Sequence, residues 1–151
     1  MYFEDNTNYS HYLNTPIDVV WNVGWLERGK EYSKGKVDTD ILSKFASILT
    51  ATGNVDVHIN RMRSLDSCAL SGCNGIVVAC QSMSVDLGGS EIWLPSVKKG
   101  EYFACPSLVY HYIQEHDYQP PAEFLMAIES FDLKVTYKAQ VVYLELVKDH
   151  F

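Results

Sequence analysis

Apolar and polar residues along this chain fall into three patterns: strict alternation, helical spacing and stretches with neither. Val55, Val57 and Ile59 alternate with Asp56, His58 and Asn60, the period of a strand with one buried face. That register turns His58 towards solvent or towards a second layer. Ile17 to Trp25 is rich in β-branched and aromatic residues and runs into the turn-prone stretch Arg28 to Gly35, which predicts a strand and then a loop. From Asp38 the period changes. Ile41, Leu42, Phe45, Ile48 and Leu49 fall on one face of a helix, with Asp38 as its N-cap and Gly53 as its stop.

Gly75 to Leu87, Glu91 to Leu94 and Glu101 to Ala104 read as three strands, punctuated by Gly88-Gly89 and by Pro95 to Gly100, and so as an antiparallel meander. Pro106 at a first helical position predicts a helix over Ser107 to His116, with Leu108, Val109, Tyr112, Ile113 and His116 along one face. Pro120-Pro121 opens another, striped by Phe124, Leu125, Ile128 and Phe131. Alternation returns at Val135, Tyr137, Ala139, Val141 and Tyr143, predicting a long strand with a bulge near Val142 to Leu144. The first fifteen residues interleave aromatics with turn formers and read as an irregular segment laid over the core. Strands and helices are segregated, which predicts one α+β domain over residues 1–151, a mainly antiparallel sheet of about six strands packed with about three helices.

Composition narrows the function. With 47% hydrophobic against 21% charged residues the chain folds on its own. Twelve Lys and Arg against nineteen Asp and Glu leave a net charge of -7, the wrong sign for phosphate, so no nucleic-acid partner is expected. No apolar run approaches the roughly 20 residues of a membrane span, and the N-terminus is acidic and polar where a signal peptide is basic and then apolar. A cytoplasmic protein without a membrane partner follows. Cys68, Cys73, Cys80 and Cys105 are too sparse for a disulfide scaffold and suit a reducing compartment.

Candidate chemistry is thin. Cys68 and Cys73 enclose four residues, within the range of zinc knuckles, but no second close pair of standard spacing accompanies them; a loop with two small, partly buried thiols is the other reading. Five positions on a regular helix turn His116 about 140° away from His111, so the two rings cannot share an ion there. His116 then closes the apolar face beside the helix C-terminus, and His111 pairs with Glu115 on the surface. Cys105, just ahead of Pro106, would have its thiol pKa lowered at a helix start, or would lie buried under it. The glycines match neither phosphate-binding pattern, and no Gly-x-Ser-x-Gly occurs. No catalytic residue, metal or cofactor is assigned, and an enzyme is not expected. Ten Tyr, six Phe and three Trp exceed the needs of a small core; Tyr2, Tyr9, Tyr12, Tyr32, Tyr102 and Tyr118, in polar stretches, suit an interface or the edges of the core.

Asn22-Val-Gly-Trp-Leu26 and His111-Tyr-Ile-Gln-Glu-His-Asp-Tyr-Gln-Pro-Pro-Ala-Glu-Phe124 resemble a family of short, acidic, largely uncharacterised bacterial proteins. These begin Met-Tyr-aromatic and carry an early Val-Gly-Trp-Leu and a late His-Tyr-x-x-x-His-x-Tyr-x-Pro-Pro-x-x-Phe, and the likeness spans most of residues 1–130. Many members carry a compact His-x-Cys-x-x-Cys that implies a metal knuckle. Here that region is Ser64 to Cys73, without the His and with the cysteines further apart. By size, charge and aromatic content the chain also looks like the immunity proteins that bind a cognate bacterial toxin domain and occlude its active site without chemistry of their own. The expected interface combines Asp66 with Glu101 and Tyr102, on a chain that is a monomer or homodimer when free. The alternative is a small metal-binding protein or cysteine-dependent enzyme centred on the Cys68/Cys73 loop and His111/His116.

Overall fold

Ile92-Trp93-Leu94 and Phe103-Ala104-Cys105 show no polar alternation, as expected of strands covered on both faces. The computed structural model, which describes Met1 to Phe151, places them side by side. They belong to β7 (Glu91–Pro95) and β8 (Tyr102–Pro106), paired antiparallel with Trp93 opposite Ala104. On one side β7 pairs with β4 (His58–Ile59); on the other, β8 is flanked by β2 (Ile17–Asn22), and β2 by β1 (Asn8–Tyr9). β2 runs parallel to β8, Val20 opposite Tyr102. Two small sheets complete the strands: β3 (Val55–Asp56) with β9 (Tyr137–Lys138), and β5 (Val77–Cys80) with β6 (Met83–Asp86).

Alternate residues of β7 and β8 serve two cores. Ile92, Leu94, Phe103 and Cys105 face α1 (Thr39–Leu49), α2 (Val109–Glu115) and α3 (Ala122–Ser130), meeting Phe45, Ile48, Tyr112, Phe124 and Ile128. Trp93 and Ala104 face the other way, onto Tyr9, Trp25 and the buried side of α4 (Ala139–Val147). The indole of Trp93 is met edge-on by Tyr9 and Tyr143, both at 5.2 Å between centroids; such pairs contribute about 0.5–1.5 kcal/mol each beyond the area they bury. Asp38 caps α1 by accepting from the Asp40 N–H at 2.7 Å, as the sequence predicts.

The α+β class holds, with corrections. The main sheet is mixed and five-stranded instead of mainly antiparallel and six-stranded, because the long excursion between β2 and β8 brings the chain back in its original direction. Helices number four. The extra one is α4, where alternation predicted a strand: its buried residues Ala139, Tyr143 and Val147 lie at i, i+4 and i+8, a helical stripe. Gly75 to Leu87 is no single strand but the hairpin β5–β6, turning where Gln81 adopts φ 54°. Pro106 ends β8 and opens no helix; Cys105 therefore lies in a strand, its S–H directed at the Ile92 carbonyl, and burial pushes its thiol pKa up, not down. His58 turns inward and is 2% exposed. Of the tyrosines in polar stretches, Tyr9 and Tyr118 are fully buried and Tyr12 is exposed, with Tyr2, Tyr32 and Tyr102 between. The aromatics are largely core. No helix is long and apolar enough to cross a membrane.

Candidate metal centre

The loop after Asn60 is held by the Met62 and Asp66 N–H groups on the Gly89 and Gly88 carbonyls and brings Cys68 to the end of α2. The Cys68 backbone N–H donates to the Cys73 carbonyl at 2.7 Å and its carbonyl accepts from Gly72 at 2.8 Å, with Gly72 in the left-handed region, φ 74°. This tight turn aims the Ser71 N–H at the Cys68 sulfur, 3.4 Å away. A second tie, from the Ala69 N–H to the Tyr112 hydroxyl at 3.2 Å, docks the turn on α2. Cys68 is left 2% exposed, while Cys73 faces solvent.

Across from that sulfur stands the end of α2, and here the geometry overturns a sequence expectation. On a continuous helix His111 and His116 would point apart. The helix stops at Glu115, however: His116 has φ -120° and ψ 14°, and Asp117 is left-handed, φ 53°. The following chain is held by the Tyr118 N–H on the Tyr112 carbonyl and by the Tyr32 hydroxyl on the His116 carbonyl. Freed from the 100° per residue progression of a helix, the His116 ring comes within 5.1 Å of His111, centroid to centroid. Its Nε2 lies 3.4 Å from the Cys68 Sγ.

One ligand atom from each of Cys68, His111 and His116 therefore lies within 4.8 Å of the others. With Zn–S near 2.3 Å and Zn–N near 2.0–2.1 Å, tetrahedral coordination puts a sulfur and a nitrogen ligand about 3.5 Å apart. The Cys68–His116 edge already has that length, and a His111 ring nitrogen lies within 4.8 Å of both ligand atoms. His111 is 9% exposed and its Nε2 is buried without a hydrogen-bond partner, where a buried polar atom is ordinarily satisfied. Burial, helped by the neighbouring His116, holds its pKa below the usual histidine value, so the neutral ring that ligates metals is favoured.

The proposed interface residues are scattered. Asp66 lies at a cavity shared with Pro106, at one end of β8, and Glu101 precedes the other end, roughly 16 Å away at strand rise. Glu101 accepts from the Trp21 indole at 2.9 Å, and Tyr102 stacks on Tyr137. The sequence named Cys68, His111 and His116 as an alternative centre but, on regular helix geometry, set the two imidazoles apart and paired Cys68 with Cys73; the irregular end of α2 brings the three together instead. The signal was the helix-stopping Asp117 to Pro121 stretch right after His116.

The segments around Asn22 to Leu26 and His111 to Phe124 also meet. Gly24 has φ 75°, and a Cβ there would lie 2.5 Å from a Val109 methyl, so glycine is required. Asp5 accepts from the Gly24 N–H and from the Tyr118 hydroxyl, at 3.0 and 2.8 Å, so the early block braces the turn that sets His116. A family described as Domain of unknown function (DUF7919) matches residues 1–129, and the chain belongs to it. Cys68, His111 and His116 lie inside the matched region; β9 and α4 lie beyond it. No curated protein and no solved structure matches.

Proposed function

We propose that this protein is a metal-binding domain that holds one zinc-class divalent ion between Cys68, His111 and His116. The buried, unpartnered Nε2 of His111 beside a thiol and imidazole already at ligand spacing carries the reading. Mixed sulfur and nitrogen donors suit Zn(II) better than hard cations. Ser71 supplies the outer-shell N–H that steadies a thiolate. Three protein ligands leave a fourth position for water or for a partner's side chain. A cysteine nucleophile activated by His116 is the less suited reading of the same pair, since a sulfur only 2% exposed offers a substrate no approach.

Elemental analysis of protein purified without added metal, followed by Co(II) substitution, tests this. The expected result is one ion per chain and a near-ultraviolet thiolate-to-cobalt band that Cys68→Ser abolishes and Cys73→Ser leaves intact. Metal-free protein that takes up neither Zn(II) nor Co(II) overturns it.

A second reading, an immunity-type protein that neutralises a cognate toxin domain by occluding its active site, is supported by the net charge of -7. The outward apolar residues of α4, Val141 at 66% and Leu144 at 59% exposure, also support it. Co-expression with an adjacent toxin gene tests this one: no complex and no rescue of growth would sink it.

A further inference from the structure

A separate cavity is lined in part by Asn60, Met62 and Asp66, from the segment that leads to Cys68. Twelve residues line a space of about 80 Å³; among them are Asp66 and Glu91 but no Lys or Arg, and none of the three metal ligands. The volume exceeds the roughly 10–15 Å³ that one water needs and falls well short of the ~300 Å³ at which small-molecule pockets begin. It suits the head of a ligand, not a whole one.

Three observations describe that head. The first is charge. Glu91 is 8% exposed and meets no cation; it accepts from the Tyr9 hydroxyl at 2.7 Å. Asp66, exposed, also lines the cavity, its carboxylate free of ion pairs while its backbone is anchored by its N–H on the Gly88 carbonyl at 2.9 Å. A buried carboxyl group and an exposed carboxylate lining one cavity, with no positive partner, form a site that a cation would complete, the incoming charge favouring the ionised form of Glu91. The second is aromatic. Trp25 and Tyr12 line the cavity together with His11, their ring centroids 5.5 and 3.7 Å from its own, and aromatic faces attract cations. The third is His11 itself: it is 9% exposed, lines the cavity, and neither ring nitrogen is hydrogen-bonded within the protein. Its neutral form offers an acceptor.

We propose that this cavity recognises the ammonium head of an alkylamine, either a free amine or the lysine side chain of a protein partner. An ammonium has three N–H donors on a compact centre, and Glu91, Asp66 and His11 offer three acceptor groups around a space of that size. The broad planar fork of a guanidinium is a poorer match. This site does not rest on the metal centre.

Titration of the full chain with n-butylammonium chloride, followed by the Trp25 indole N–H resonance at constant ionic strength, tests the assignment. A saturable shift is expected that 1-butanol, the neutral isostere, does not produce. Asp66→Asn and Glu91→Gln, which keep the shape of each side chain and, in Gln, an acceptor for Tyr9, weaken binding by about tenfold or more, the effect of losing one charge-assisted hydrogen bond. Acetyl-lysine methylamide, blocked at both ends, separates the two sources: binding as tight as butylammonium marks a lysine side chain, and butylammonium binding alone marks a free amine. Equal shifts from butanol and butylammonium, no shift from either, or wild-type affinity in both variants would show a solvent-filled cavity and overturn the proposal.

Discussion

His58 and His111 are both buried imidazoles, yet the protein treats them in opposite ways. His58 is satisfied at both nitrogens, Nδ1 by the Ser90 hydroxyl at 2.7 Å and Nε2 by the Leu49 carbonyl at 2.8 Å. It ties β4 to the C-terminal end of α1 and to the residue before β7, and has nothing left to offer. His111 keeps a buried nitrogen without a partner, next to a second imidazole and a thiol. Burial alone therefore does not mark a functional histidine; unmet hydrogen-bonding capacity does.

The sharpest way to break this contrast is to add and remove metal. Urea unfolding in zinc-buffered solution and in excess chelator should differ by about 4 kcal/mol when free zinc is a thousandfold above its dissociation constant. Cys68→Ser should abolish that difference, and equal curves for the wild-type protein would place His111 beside His58 as a structural residue.

Glu91 is a third buried polar group, held by the Tyr9 hydroxyl but with no cation beside it. Burial raises its pKa to about 7, against the lowering effect of the Tyr9 hydroxyl's hydrogen bond and of the nearby Asn60 side chain. In the folded protein the carboxyl keeps its proton up to about pH 7, while the unfolded chain loses it near 4.5. The stabilisation is thus complete below pH 4.5 and is lost as pH rises through 7, a span worth roughly 3 kcal/mol. Comparing the pH dependence of unfolding in wild type and Glu91→Gln isolates this contribution. Parallel curves between pH 4.5 and 7 would show that Glu91 ionises in the fold at no cost.

His58→Ala should destabilise the protein by about 1–3 kcal/mol, the cost of leaving buried partners unsatisfied. Zinc affinity should stay unchanged, which calorimetric titration would report; weakened zinc binding would mean that the two regions are coupled. The smallest effect belongs to the exposed fork between Arg61 and Asp56, at 2.7 and 2.9 Å. Arg61→Ala should cost at most about 1 kcal/mol, and a larger loss on thermal unfolding would show that this pair anchors the loop leading to Cys68.

Much of the fold was legible where local pattern and tertiary environment agree. The apolar face and cap of α1, the β7–β8 pair between its turn signals, and α3 behind Pro120-Pro121 were all readable from spacing. Residues 139–147 show where that method fails: Val141 and Tyr143 fit an alternating strand, while Ala139, Tyr143 and Val147 fit a helix equally well. The burial of that second set against Trp93 and its neighbours decided between them. The candidate site was half legible. Cys68, His111 and His116 were singled out as residues, but regular helix geometry set the two histidines apart.

The sequence by itself determined the α+β class, the acidic surface and the local elements whose period is unambiguous, because these depend on neighbours a few positions away. Tertiary structure alone decided the parallel β2–β8 pairing, the helical state of α4 and the gathering of one thiol and two imidazoles. Each depends on contacts between distant segments: a crossover that reverses direction twice, a core that selects one of two apolar faces, and a turn braced by Asp5, Gly24 and Tyr32 that breaks helical spacing just where His116 begins.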